Sequence, residues 1–368
     1  MSDWFDFLAS QGAIFEDGLV VGFGETFDET FDETFADYPQ LSQATVLCDL
    51  GDKGVLMLEG ADSSKFLQGQ TTADFDQLDS NNPLNGAFCT LQGRVLSNFT
   101  AVLPASERIL LITAKALIDS TLAEKTKYAA FFKTQLSDAS EHYRVLGLSG
   151  PDSTDILKAQ YGSVPEPSHS LTTDTGEIII AVSPSRFILI LPAQLAVERW
   201  QQLAQHARAT GLPYWHLLDI QAGLADVYSE TSTAFIPQML NYHLTDTVSF
   251  TKGCYTGQEV VARMYYRGTL KRRLHRLTLA TADLPIPGTE INSIDGEKPI
   301  GRVVLGAPAD ENHSEVLAVL TLTEVPTTKI FQLSVNGETV SAELLALPYV
   351  DVDVDVDTDA NADEADNV

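Results

Sequence analysis

Cysteine is scarce: Cys48, Cys89 and Cys254 are the only three in 368 residues, odd in number and far apart. That excludes a disulfide framework and fits a reducing compartment. No apolar run approaches the ~20 residues that cross a bilayer. Met1 to Ser10 has neither a basic stretch nor an apolar core of signal-peptide length, so a soluble, cytoplasmic protein without a membrane partner is expected. His216, His243 and His275 lack HExxH or any paired-ligand spacing, and no metal site is expected from them. The absence of a Walker loop and of GxGxxG after a strand removes support for nucleotide sites of those kinds.

Positive charge is also in short supply, with 23 Lys and Arg against 51 Asp and Glu and a formal net charge of −28. The deficit is uneven. Residues 1–40 hold ten acids and residues 351–368 hold eight, and neither stretch has a Lys or Arg. The body between them is only moderately acidic. Within it, Lys252, Arg263, Arg267, Lys271, Arg272, Arg273 and Arg276 gather seven basic residues around a single acid, Glu259. Such a reversal of sign marks a place for an anion, either a phosphate backbone or a carboxylate-rich tail. Glu259, Arg263 and Arg267 are spaced i, i+4, i+8, which equally fits a solvated helix face with a surface ion pair. That alternative leaves the Lys271-Arg272-Arg273 run without an explanation.

The basic stretch opens with Lys252-Gly253-Cys254-Tyr255-Thr256-Gly257-Gln258-Glu259. Flanking glycines permit close backbone approach or dihedrals closed to other residues, and a nearby cation favours a thiolate. One reading is therefore a tight loop presenting a reactive or ligand-touching sulfur. The other is a turn with a buried cysteine acting as a small hydrophobe.

A hydrophobic content of 44% supports real cores, and the length suits two or three domains. Phe27-Asp28-Glu29-Thr30 and Phe31-Asp32-Glu33-Thr34 repeat in tandem after the related Phe23-Gly24-Glu25-Thr26. Three copies are too few for a solenoid, leaving a mobile acidic linker or a helix with an aromatic at every fourth position. Strands are expected at 44–51, 54–58, 109–113 and, as a pair turned at Gln92-Gly93-Arg94, over 86–103. A helix is expected after Asp62 as N-cap with Gly69 near its end, and another over 117–136. A second α+β unit has strands at 143–150 and 178–191, helices at 152–161 and 195–210, and a helix at 215–223 closed by Gly223. After Lys271 six short strands (274–279, 289–291, 300–305, 316–322, 330–335 and 340–345) are punctuated by Pro287-Gly288, Asp295-Gly296 and Asn336-Gly337, which suits a small β-barrel. The Asp-Val alternation over 351–357 imitates a strand, yet its like charges favour disorder. The expected fold is thus α+β: an acidic, partly mobile segment at 1–43, α+β units at 44–140 and 141–270, a barrel at 271–350, and an acidic tail at 351–368.

The segment Phe235-Ile236-Pro237-Gln238, Asn241, Ser249-Phe250, the Lys252–Glu259 motif, Arg263, Arg267-Gly268 and Lys271-Arg272 resembles the signature region of the YgfZ-type folate-binding, tRNA-modifying proteins. These are relatives of the glycine-cleavage T-protein, a folate-dependent aminomethyltransferase. Spanning about residues 44–350, the resemblance implies a T-protein-like folate-binding domain of two α+β units with a C-terminal barrel, holding tetrahydrofolate or a derivative in a central cavity. It places Trp215 at the pterin ring, although core packing is the commoner use of a helix tryptophan. The family's second tryptophan has no counterpart, the nearest position being Lys53. Folate contacts fall on Asn98, Lys252, Tyr255, Gln258 and Glu259, with Arg263, Arg267 or the Lys271-Arg272-Arg273 cluster toward the glutamate tail, and Cys254 becomes the key residue at the cavity edge. Where the aminomethyltransferases carry an acidic pair, this chain has Ser97-Asn98, and neither serves as a general base near neutral pH. The implied role is support of tRNA modification through maintenance of iron–sulfur enzymes, its transient partners. That makes the chain a folate-binding accessory protein more than an independent catalyst, since one cysteine cannot hold a cluster. The alternatives are a folate-dependent one-carbon transferase and a direct tRNA-binding module using residues 263–276.

Overall fold

Apolar residues on both sides of the same strands bury two faces at once. In Lys53–Glu59, Leu56 and Leu58 join the core formed with helices, whereas Val55 and Met57 face a second sheet. The computed structural model describes residues 2–24, 35, 38–293, 298–323, 325 and 330–349. Its first sheet is antiparallel, in the order Leu84–Cys89, Val95–Ala105, Arg108–Ala114, Lys53–Glu59, Gln135–Asp138. The second runs Ser170–Thr172, Ile178–Ser183, Arg186–Pro192, Tyr143–Ser149, Val46–Asp49, Arg208–Thr210, antiparallel except for its last pair.

Helices Ser63–Gln70 and Ile118–Ala129 cover the outer face of the first sheet through Phe66, Leu67 and Ile118. Ser2–Ser10, Ser153–Tyr161 and Ala193–Leu203 cover the second through Leu8, Leu157 and Trp200. The inner faces meet through Val55, Leu110 and Ile112 on one side and Val145, Ile178, Ile180 and Ile190 on the other. The result is a helix–sheet–sheet–helix sandwich.

The barrel closes in the order Arg272–Leu279, Ser314–Thr321, Pro299–Pro308, Glu290–Ser293, Ile330–Val335, Glu338–Leu345. Leu277, Val303 and Phe331 fill it, while Leu274, Val304 and Leu317 on its outside pack with Leu217 and Ile220 of helix Leu212–Ala222. That helix is apolar on nearly every side because it is wedged between barrel and sandwich. It stops at Gly223, whose φ of 69° closes the helix in the left-handed region.

The two α+β units and the six-stranded barrel agree with the sequence reading, and Asn336-Gly337 forms the expected hairpin turn with φ of 51° and 86°. Two expected helices are shorter. The first ends at Ala129, and Gln135–Asp138 pairs with Lys53–Glu59 instead. The second ends at Leu203, and Arg208–Thr210 joins Val46–Asp49 in parallel. In both cases an open sheet edge takes residues that helical spacing had claimed. Asp62 does not cap its helix by its side chain; the carboxylate accepts the Lys133 N–H at 2.8 Å and fastens the turn before Gln135. Much of the segment 1–43 is folded, because Trp4, Leu8 and Val20 are buried and Trp4 and Phe23 pack on the Trp200 ring. The repeat copies at 25–34, the Asp295-Gly296 turn and the 351–368 tail lie outside the described residues. Among the described residues, no helix is long and apolar enough to cross a membrane.

The N-terminal helix is tied to the second sheet by a buried carboxyl: Asp49 accepts the Trp4 indole N–H at 3.2 Å. Burial pushes the Asp49 pKa up to about 7 despite the Trp4 bond and the Arg144 and Lys115 charges, with Asp52 adding to the rise. A folded-state pKa above the unfolded one means that stability is full below about pH 4 and is lost as pH rises toward 7. Asp49→Asn keeps the acceptor for Trp4, so it is expected to raise the urea midpoint clearly at about pH 8 and hardly at about pH 4. An equal effect at both would contradict this assignment.

Candidate functional site

A cavity of about 510 Å³ opens where the inner faces of the two sheets diverge. The first sheet contributes Lys53, Asn98 and Thr113, the second Ile180, Arg186 and Ile188, and helix Leu212–Ala222 contributes Trp215 and Asp219. Loops close it through Leu224–Asp226 and Thr245–Thr247. Trp215 is held in place by a missing side chain: Gly147 lies against the indole, and a Cβ there would collide with it.

One wall is a buried ionic network. Lys53 Nζ lies 2.5 Å from Asp226 Oδ2 and 3.2 Å from Asp52 Oδ2. Asn98 bridges the chain, donating from Nδ2 to Asp226 Oδ1 at 2.5 Å and accepting the Val227 N–H at 2.8 Å. Asp52 also meets His216 Nε2 and the Tyr228 hydroxyl, both at 3.1 Å. Burial alone would raise the pKa of Asp226, but the Lys53 ammonium and the Asn98 amide hold it below the usual carboxylate value. For Lys53, burial opposes the charge, and the Asp226 and Asp52 carboxylates overcome it, raising its pKa well above normal. The wall is therefore a fixed ammonium–carboxylate pair.

On the opposite wall Arg186 stacks on Trp215, its guanidinium carbon 4.1 Å from the ring centroid. Its Nη2 donates to Asp219 Oδ1 at 2.8 Å and to the Trp215 carbonyl at 3.3 Å. Burial raises the Asp219 pKa, and Arg186 offsets only part of that.

Of the residues singled out in the sequence, Asn98 and Trp215 line this cavity, as does Lys53 at the position lacking a tryptophan. The Lys252–Glu259 motif does not line it. Lys252 is buried and donates to the carbonyls of Thr71, at 2.8 Å, and Ala73, while burial lowers its pKa to about 8 against the pull of Asp74 and Asp76. Its ammonium thus anchors the loop to the first α+β unit, and no described interaction joins it to the Cys254 thiol. Cys254 is exposed. Gly257, at φ 88°, is forced to be glycine by the Thr90 carbonyl beside it, whereas Gly253 faces open space. Tyr255 is buried under the Lys252 ammonium, and Gln258 Nε2 reaches the Gly253 carbonyl at 3.4 Å. Glu259, Arg263 and Arg267 lie exposed on helix Gln258–Arg267, and no described ion pair joins Glu259 to Arg263. Arg276 is taken by Glu315 through bonds of 2.6 and 2.8 Å.

Arg186, Asp219, Asp226, Asp52 and Tyr228 went unrecognised in the sequence. A signal existed for two of them: Arg186 heads the apolar run Phe187–Leu191, and Asp219 interrupts the apolar helix. Charges in such places require buried partners.

Removing one member of the pair should be costlier than removing both. Lys53→Met leaves two carboxylates without their cation, and because Asp226 is partly exposed a loss of about 2–3 kcal/mol, below that of a fully buried pair, is expected in urea unfolding. The double variant Lys53→Met, Asp226→Asn should recover a large part of it. Additive losses would show that the two groups do not act as a pair.

Residues 4–173 match the family described as the GCVT N-terminal domain. The tRNA-modifying protein YgfZ of Yersinia enterocolitica is 31% identical over 307 residues, covering 82% of this chain and 92% of its own. The same protein of Yersinia pseudotuberculosis is 32% identical over 278 residues, covering 74% and 84%. Among solved structures, glycine cleavage system aminomethyltransferase T from Bartonella henselae superposes with a TM-score of 0.73 at 16% identity, covering 94% of this chain and 97% of that one. The last comparison establishes the fold, and the first three place the sequence: the chain belongs to the YgfZ family, carried on an aminomethyltransferase-T-like fold.

Proposed function

We propose that the protein binds tetrahydrofolate or a derivative in the inter-sheet cavity and, so loaded, supports tRNA modification in the cytoplasm by sustaining iron–sulfur enzymes. The observation that carries this reading is the cavity itself. It is large enough for a pteridine, walled by an indole on one side and by the Asn98–Asp226–Lys53 array on the other, in a chain of the YgfZ family. In this reading the glutamate tail goes to the exposed Arg263 and Arg267. Cys254, outside the cavity on an exposed loop, acts toward the partner enzyme and not on the ring.

A base-catalysed one-carbon transfer has less support. Asn98 stands where the resemblance would put an acid, and the neighbouring Asp226 carboxylate has both oxygens occupied and a lowered pKa, which makes it a weak base. A second reading rests on a separate observation. Phe250 and Tyr265 stack at 3.7 Å, and Tyr265 and Tyr266 are 49% and 64% exposed beside Arg263, Arg267, Lys271 and Arg272. Exposed rings among cations suit the unpaired bases and phosphates of a tRNA loop.

Titration with tetrahydrofolate is expected to change the tryptophan fluorescence of the wild type, and Trp215→Phe should abolish most of that change. No binding by the wild type would refute the folate reading. In cells lacking the native protein, Cys254→Ala should fail to restore thiomethylated tRNA while still binding tetrahydrofolate, and full restoration would remove the thiol from the mechanism. Direct tRNA contact predicts affinity that falls steeply with salt and drops on Tyr266→Ala; binding independent of both excludes it.

A further inference from the structure

Arg186 has more donors than partners. All its hydrogen bonds leave from Nη2, toward Asp219 and the Trp215 carbonyl. Nε is buried with no partner among the described residues, and nothing described accepts from Nη1. The residue is only 6% exposed, yet it lines the cavity. A buried guanidinium donor without an acceptor is destabilising, the more so because the group is charged. Nε is closed off even to a water-sized atom, so the donor that an occupant of the cavity can reach is Nη1.

The surroundings define that occupant. Arg186 is already neutralised by Asp219, so a second full anion would place an uncompensated negative charge between the sheets. A neutral sp² carbonyl oxygen satisfies the free donors without adding charge. The guanidinium carbon lies 4.1 Å from the indole centroid, so a flat ring entering beside Trp215 can present an acceptor on its edge to the guanidinium. We infer that Arg186 is the ligand-recognition residue of the cavity, and that its unpartnered Nη1 takes a ring carbonyl of a flat heterocyclic lactam, the 4-oxo group in the case of a pterin. This assignment rests on the folate reading and deepens it by naming the edge that is read. Asp219 becomes a positioning residue that fixes the guanidinium.

The test compares two ligands that differ along that edge: tetrahydrofolate and its 4-amino-4-deoxy counterpart, in which a donor replaces the carbonyl acceptor and N3 changes from donor to acceptor, so the Arg186 variant is what ties the preference to the carbonyl. Calorimetry at mildly alkaline pH, where the diaminopyrimidine ring is neutral, is expected to show the wild type preferring the 4-oxo ligand by at least about tenfold. Arg186→Lys keeps a cation for Asp219 but loses the fork, and should bind the 4-oxo ligand more weakly and flatten the preference to within about threefold. Equal affinity of the wild type for both ligands overturns the assignment while leaving folate binding intact, and it does so whether or not the variant folds. An undiminished preference in a folded Arg186→Lys protein likewise assigns the carbonyl elsewhere. Binding of neither ligand takes down the folate reading and this inference together.

Discussion

Two partly buried charges, Lys53 and Asp226, shape the middle of this molecule. Neither is tolerable alone between two apolar sheet faces, because an isolated buried ion costs far more than any single contact returns. Together with Asn98 and Asp52 they form a wall whose members satisfy one another except at Asp52 Oδ1, which is buried with no partner among the described residues. That wall keeps the inner faces from closing over their whole length. Where Val55, Leu110 and Ile112 meet Val145, Ile178 and Ile190 the sheets pack; beside the ionic wall they leave a hollow.

The barrel and helix Leu212–Ala222 complete this arrangement. Pressed from outside by Leu274, Val304 and Leu317, the helix delivers Trp215 into the gap, and Gly147 gives the indole room. The Lys252–Glu259 loop does not line the cavity and is pinned by Lys252 to the carbonyls of Thr71 and Ala73. A binding hollow and an exposed thiol are thereby joined by one stretch of chain, Thr245 to Cys254, without sharing a pocket.

Much of the architecture was legible in the sequence because it depends on local signals. Turn residues such as Asn336-Gly337 cut the barrel strands, and Gly223 stopped its helix where expected. Two helix ends were lost to sheet edges that only the tertiary fold creates. At the site, Trp215 and Asn98 came from the resemblance, and both face the cavity. The partners that give them meaning did not. Lys53 and Asp226 are separated by 173 positions, and Arg186 and Asp219 by 33, so no spacing rule connects them. The motif around Cys254 drew attention through its glycines and cations, but of the two glycines only Gly257 answers a steric need.

A crystal structure of the protein soaked with 5-formyl-tetrahydrofolate tests the central claim most directly. The account predicts a pteridine between the Trp215–Arg186 wall and the Asn98–Asp226 wall, with Cys254 Sγ out of contact with the ring. Density for the ring at the Cys254 loop, or an inter-sheet cavity that stays empty at saturating ligand, would contradict it.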